Sequence, residues 1–339
     1  MKTCFTFLLL ALSTAVLSQT IYEDFEVALR KPKDVQQLVI HCHHAGFKIP
    51  DSRIEQLLNL EYLYIDSYPG EELILPRELL KLPKLKTLVI EGQNLKHIPD
   101  WIVDLAHLEK LSLFYGKATV IPENITALKN LKELGISSEV IQQLPETIYL
   151  NTLEYLYLHC RSIKTLPSGL GSLARLKLLT IHCDSLQELP DEFHSLTTLN
   201  RLDLYCKVMT SLPPSVSKLD NLKEFRWGQA KSFPPEVCTL KNLEQLTFDV
   251  SFFPEVPECI GELKKLKRID LSFSRISVLP EALYAMNTLE SIDLYSSMIS
   301  TLDPLIFRLP KLRWISLQYC RNLPDKVQLQ KMSNKVILE

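Results

Sequence analysis

The chain has 339 residues, of which 46% are hydrophobic and 23% charged, with 38 lysines and arginines against 40 acidic residues. That is the balance of an ordinary folded protein. A formal net charge of −2 with no basic cluster gives no electrostatic basis for nucleic acid or an anionic membrane as a partner.

Taken in chain order, residues 1–18 carry one lysine, Lys2, an apolar run from Phe5 to Val16, and the small residues Ala15 and Ser18. This is the pattern of a secretory signal peptide. The run is too short to span a bilayer, and no other segment approaches the roughly 20 apolar residues that a spanning helix requires. The expected mature chain starts near Gln19, is not inserted in a membrane, and is exported to a periplasm, a cell surface or the medium.

From Val35 onward one skeleton recurs. In the stretch LEYLYLHCRSIKTLPSGLGSLARL, Leu153, Leu156 and Leu158 sit at strand spacing, Ile163 and Leu166 lead to Pro167, and Leu170 and Leu173 step in threes toward Leu176. Thirteen such units begin with Val35, Leu60 and Leu85 and end with the one at Leu312; after two steps of 25 residues the spacing is 21 to 23. An unbroken period argues for one elongated solenoid rather than the two globular domains that length alone allows. The alternation at the start of each unit has the period of a strand buried on one face. Proline followed by apolar residues three apart suits a short helical or 3₁₀ turn. Stacked strands lie ~4.8 Å apart and packed helices ~8–10 Å, so the array curves with its sheet inside. Residues 19–34 and 325–339 are expected to cap the array of 35–324.

The pattern resembles the leucine-rich repeat family, in its 23-residue form with an LPxxIxxLxxL segment. Segments such as LPETIYLNTLEYLYL and LPDEFHSLTTLNRLDL are similar to bacterial and plant Ras-group members. The resemblance implies an α/β solenoid with a parallel sheet on the concave face and short turns on the convex face. It also implies non-catalytic binding of a macromolecule, most often protein, but a fold shared by many binders does not name the partner. An adhesin-like carbohydrate binder is the alternative, as is an intracellular signalling scaffold if the N-terminus is not a signal peptide.

Counting each first leucine as position 1, the family usually has asparagine at position 9, and this chain never does. Four of the thirteen residues there are charged: Glu139, Arg161, Asp184 and Lys207. Charged side chains are almost never fully buried unless paired. Position 9 is therefore expected to face out in several units, with position 8 inward and the strand about one residue longer than the family norm. Cys160, Cys183 and Cys206 share position 8 and are expected to stack as free, buried thiols, because side chains projecting in parallel from neighbouring strands have poor disulfide geometry. Seven cysteines remain after residue 18, so they cannot all pair.

No nucleophile motif, P-loop or dinucleotide fingerprint is present, so no enzyme activity and no cofactor are expected. His159 and His182 share position 7, with Asp203 on the next strand, a residue set that could hold a metal. Without a legible supporting partner for either histidine they read instead as part of a polar face, and no metal is expected. The His41–Cys42–His43–His44 string alternates faces and does not converge on one ion. The predicted binding patch comprises positions 3, 5 and 7 of the middle units: Tyr155, Tyr157, His159, His182, Arg201, Asp203, Tyr205 and Arg226. Tyrosine and arginine dominate interface hot spots. Smaller clusters are expected near Tyr62 and Tyr64 and near Tyr295 and Trp314, while Arg175 and Lys218 are expected on the convex side.

Overall fold

A computed structural model describes residues 20–42, 51–67, 73–92, 95, 97–116, 120–324, 329 and 337–338. The segment 1–18, and His43 and His44, lie outside the described residues. Strands are numbered β1 to β15 in chain order, and all lie in one open sheet in that order. Thirteen of them, from β2 (Gln37–Cys42) to β14 (Trp314–Ser316), correspond one to each repeat unit. At the ends, β1 (Ile21–Tyr22), followed by a helix over Phe25–Arg30, pairs in parallel with β2, and β15 (Ile337–Leu338) pairs in parallel with β14.

Each repeat position stacks on its own counterpart. Leu156 of β7 (Tyr155–Cys160) pairs with Leu179 of β8 (Leu178–His182), then with Leu202 of β9 (Arg201–Tyr205) and Phe225 of β10 (Glu224–Gly228). A slip by one residue would turn each leucine column to solvent, so the apolar pattern fixes the register. The strand leucines, the leucine that opens each unit and the apolar residues of the turns form one continuous buried core.

Eleven five-residue 3₁₀ turns line the opposite side among the described residues, and nine of them are preceded by proline. Proline thus stands just before the turn in these nine, and Pro214, Pro235 and Pro304 also open three of the turns. Its fixed φ suits the extended cap conformation, its missing N–H is not needed there, and its carbonyl accepts the bond that closes the turn, as from Leu170 N to Pro167 O at 3.1 Å. The first and last turns use aspartate instead: Asp51 and Asp303 accept from the amides of Arg53 and Leu305. The LPETIYL segment, in a unit one residue short, forms no such turn.

The inward position 8 holds only in part of the array. Cys160, Cys183 and Cys206 are free and fully buried, with Arg161, Asp184 and Lys207 beside them facing outward. From Gln229 onward the arrangement reverses. Gln229, Val250, Phe273, Ser296 and Tyr319 take φ between 53° and 65°, and Ala230, Ser251, Ser274, Ser297 and Cys320 at position 9 are buried. The longer strand expected for the array is therefore confined to its first part: β2 to β7 run through position 8, the strands from β8 to β10 end at position 7, and those from β11 to β14 have three residues. The cause of the reversal is side-chain partition: the four charged position-9 residues all fall in the units with position 8 inward, and every later unit has a small uncharged residue at position 9. Burying that residue requires a left-handed backbone at position 8, at a cost of roughly 1–2 kcal/mol for a residue such as valine or phenylalanine.

With no asparagine ladder at position 9, the residues just before the opening leucines link the units at the other end of the strands. Asn130, Asn221 and Asn242 donate to the carbonyls of Ala106, Thr197 and Asp220 at 2.8, 2.6 and 2.8 Å. Thr198 donates likewise to Ala174 O. These bonds satisfy carbonyls that the short turns leave open.

Cys238 and Cys259 form a disulfide between adjacent turns, with Cα atoms 5.7 Å apart and a sequence separation of 21. Closing a loop of that length is worth about 3 kcal/mol. The double variant Cys238→Ser/Cys259→Ser should therefore unfold about 2–3 kcal/mol less stably in urea, and peptide mapping without reductant should recover this one linked pair while Cys160, Cys183 and Cys206 label only after denaturation. Labelling of those three in the native protein would contradict the buried column.

Candidate functional site

Because positions 4 and 6 point into the core, positions 3, 5 and 7 emerge on the concave face. Seven of the eight predicted residues are partly exposed there, and Asp203 is buried. At position 7 the rings form a column: His159 stacks on His182 at a centroid distance of 4.2 Å, and His182 on Tyr205 at 5.3 Å. The column ends at Gly228, where a Cβ would come within 2.7 Å of the Tyr205 ring. Any larger residue at 228 would displace that ring. Tyr205 Oη accepts a hydrogen bond from Arg226 Nη1 at 3.1 Å, which fixes both side chains.

Asp203 does not turn toward the histidines. It takes bonds from Arg201 Nε at 3.1 and 3.0 Å, with a 2.9 Å ion pair to Nη2, while Arg201 Nη1 reaches Glu224 at 3.3 Å. The fork geometry holds the guanidinium across the middle of the face. Among the described residues no group of three metal-ligating side chains is assembled. His41 Nδ1 lies 2.7 Å from Asp66 Oδ2, an ion pair when the ring is protonated.

Burial lowers the pKa of both stacked histidines. His182 is pushed down to about 4 by burial and then by its neighbour His159, and His159 is lowered by burial and by Arg161. Burial also raises the Tyr157 hydroxyl to about 12 and the Cys160, Cys183 and Cys206 thiols to about 12, 11 and 12. Such thiols have almost no thiolate at neutral pH and are poor nucleophiles.

An open cleft of about 720 Å³ runs from this face over the edge of the sheet where the strands begin. Tyr155, Leu178, Arg201 and Glu224 form its concave side, and Arg175, Lys177, Asn200 and Lys223 its outer side. Arg175, expected on the convex face, is a cleft residue. It directly precedes the opening leucine of its unit, so it sits at the edge beside the strands.

At the other rim, Tyr295 lies between Phe273 at 5.1 Å and Tyr319 at 5.2 Å, and Val250, Phe252 and Phe273 are each about half exposed. The sequence reading found Tyr295 but missed Phe273 and Tyr319. Their signal was a small residue at the next position, which forces position 8 outward.

A family profile described as a leucine-rich repeat region matches residues 168–273. Over 111 residues the chain is 34% identical to the probable inactive serine/threonine-protein kinase roco10 of Dictyostelium discoideum, covering 31% of this chain and 4% of that protein. The curated relatives are much longer proteins, of which this chain spans between 4% and 19%. An internalin of Listeria monocytogenes superposes with a TM-score of 0.67 at 19% identity over 91% of this chain and 88% of its own. The leucine-rich repeat ectodomain of the receptor kinase GASSHO1/SCHENGEN3 of Arabidopsis thaliana, solved in complex with Casparian strip integrity factor 2, gives 0.53 at 20% identity over 90% of this chain and 40% of its own. The period, the fold and the profile match agree: the chain is a leucine-rich repeat protein.

The histidine column makes stability depend on pH. A folded-state pKa below the unfolded value means that the contribution is complete above about pH 6.5 and is lost as pH falls toward 4. Allowing for solvent screening of this partly exposed pair, acidification from pH 7 to 4 should cost about 1–2 kcal/mol through His182. Urea midpoints across that range should show a shallower pH slope in His182→Gln, and parallel slopes would contradict the assignment.

Proposed function

We propose that the protein is a non-catalytic recognition module that binds a protein partner on its concave face, centred on β7 to β10. The carrying observation is the ordered run of half-exposed side chains across four adjacent strands: Tyr155 and Tyr157, the His159–His182–Tyr205 column, and Arg201 and Arg226 held by Asp203 and Tyr205. The monomer's core cannot cover these groups, yet its own hydrogen bonds orient them. Preorganised aromatic and arginine side chains lose little entropy on binding. That the Arabidopsis ectodomain is solved with a bound factor supports a ligand-binding role for this fold.

In this reading the protein works outside the cytosol, with residues 1–18 removed and 19–34 and 325–339 closing the two ends of the core. The disulfide between Cys238 and Cys259 supports an oxidising compartment. No helix among the described residues is long and apolar enough to cross a membrane.

The test is affinity capture of a partner on the immobilised protein, followed by titration of that partner against variants. Tyr157→Ala and Arg226→Ala should each weaken binding by about 1–3 kcal/mol. Their melting temperatures should stay within a few degrees of the parent. Lys218→Ala, in a turn on the convex side, should leave affinity unchanged. Loss of binding confined to Lys218→Ala would contradict the proposal, and a saturable signal on a glycan array without any protein captured would replace it with carbohydrate recognition.

A further inference from the structure

Position 2 of the units, at the edge where the strands begin, carries alternating charge. From the second unit it reads Glu61, Lys86, Glu109, Lys132, Glu154, Lys177, then Asn200, Lys223, Glu244, Lys267, Glu290 and Arg313. The alternation makes ion pairs between neighbours: Lys86 to Glu61 at 2.8 Å, Lys132 to Glu109 at 2.6 Å, Lys177 to Glu154 at 2.7 Å and Lys267 to Glu244 at 2.5 Å. In each, a lysine reaches back to the glutamate of the preceding unit.

Glu290 and Arg313 keep the alternation without an ion pair among the described residues, and one rung breaks the alternation itself. Asn200 stands where alternation calls for a carboxylate, so Lys223 has no acid behind it, and the Glu244 ahead of it is bonded to Lys267. Lys223 makes no ion pair or side-chain hydrogen bond among the described residues, and neither does Arg175. The break coincides with the cleft, which Asn200, Lys223, Arg175 and Lys177 line on its outer side. Counting the whole lining, four cations (Arg175, Lys177, Arg201 and Lys223) face two carboxylates (Glu154 and Glu224), and both carboxylates are already paired. A concave wall with surplus positive charge concentrates anions.

We propose that the cleft over Asn200 is an anion-binding subsite that takes an acidic side chain of a protein partner, which supplies the carboxylate missing from the ladder. The neighbouring rungs carry this choice of ligand, because at the same lateral spacing each paired lysine meets a carboxylate oxygen at ordinary ion-pair distance. The cleft opens onto Tyr155 and Arg201, so one partner reaches both the subsite and the concave patch. The inference rests on protein recognition by this face, but its test does not require the partner.

The probe is a fluorescein-labelled hexaglutamate peptide, titrated by anisotropy against the full chain at about 20 mM ionic strength, where screening is weak. Saturable binding is expected. Asn200→Glu, which completes the alternation and gives Lys223 an internal partner, should weaken it at least about fivefold without lowering the melting temperature. Glutamate occupies the same position in other units, so the fold accepts it there. Lys218→Glu changes the net charge by more but lies away from the cleft, and should alter affinity by less than about twofold. Tyr157→Ala should also leave peptide binding within about twofold, so the cleft can be judged even if the concave patch proves silent. Equal weakening by Asn200→Glu and Lys218→Glu would overturn the subsite in favour of diffuse charge. Failure of the peptide to bind, or binding of dextran sulfate that the peptide does not displace, would overturn the acidic-peptide assignment.

Discussion

Like-on-like stacking is the constraint from which the rest follows. Parallel pairing places every repeat position directly against its counterpart in the next unit, so one choice of residue type becomes a column along the whole molecule. Leucine at positions 1, 4 and 6 becomes the core, cysteine at position 8 a buried column, and histidine and tyrosine at position 7 a stack of rings. At position 2, alternating signs become a ladder of ion pairs. Each exposed pair is worth at most about 1 kcal/mol, so the ladder fixes local charge more than it stabilises the fold. Stability comes from the continuous apolar core, where burying one leucine or phenylalanine side chain contributes about 1.5–3 kcal/mol.

Columns also propagate exceptions. A charge at position 9 cannot be buried alone, so beside Arg161, Asp184 and Lys207 the chain keeps position 8 inward and buries the cysteines there. Where position 9 becomes small, the chain turns left-handed at position 8 and sends Phe273 and Tyr319 out. The same fold therefore presents two different rims. Its middle units carry the ring column and the charged cleft, and its later units carry an aromatic strip around Tyr295.

The repeat architecture was legible because a period of about 23 residues is visible without knowing any contact. So was the thiol column, since three cysteines one period apart must stack. The switch at position 8 was harder, because position 9 was expected to face out in several units without those units being delimited, although its charged members are contiguous. The disulfide was missed for a related reason. Cys238 and Cys259 also stand one unit apart, but on the turn side, where one is the fourth and the other the second residue of its turn, and where spacing alone does not set the direction of a side chain. For the site, exposure of positions 3, 5 and 7 followed from alternation and the edge placement of Arg175 from its place before Leu176, whereas the clamp of Asp203 on Arg201 depends on side-chain rotamers. The charge alternation at position 2 was in the sequence throughout, and its break at Asn200 gains meaning only beside the cleft.

The most direct test of concave-face recognition is hydroxyl-radical footprinting of the protein alone and with its captured partner, read at single side chains. The account predicts that oxidation of Tyr155, Tyr157, His159, His182 and Tyr205, all partly exposed in the free chain, falls together in the complex. Oxidation of side chains in the convex turns, such as the partly exposed Tyr284 and the exposed Leu305, should be unchanged. Protection confined to the convex turns, or to Phe273 and Tyr319, with the five central rings still fully reactive, would contradict it.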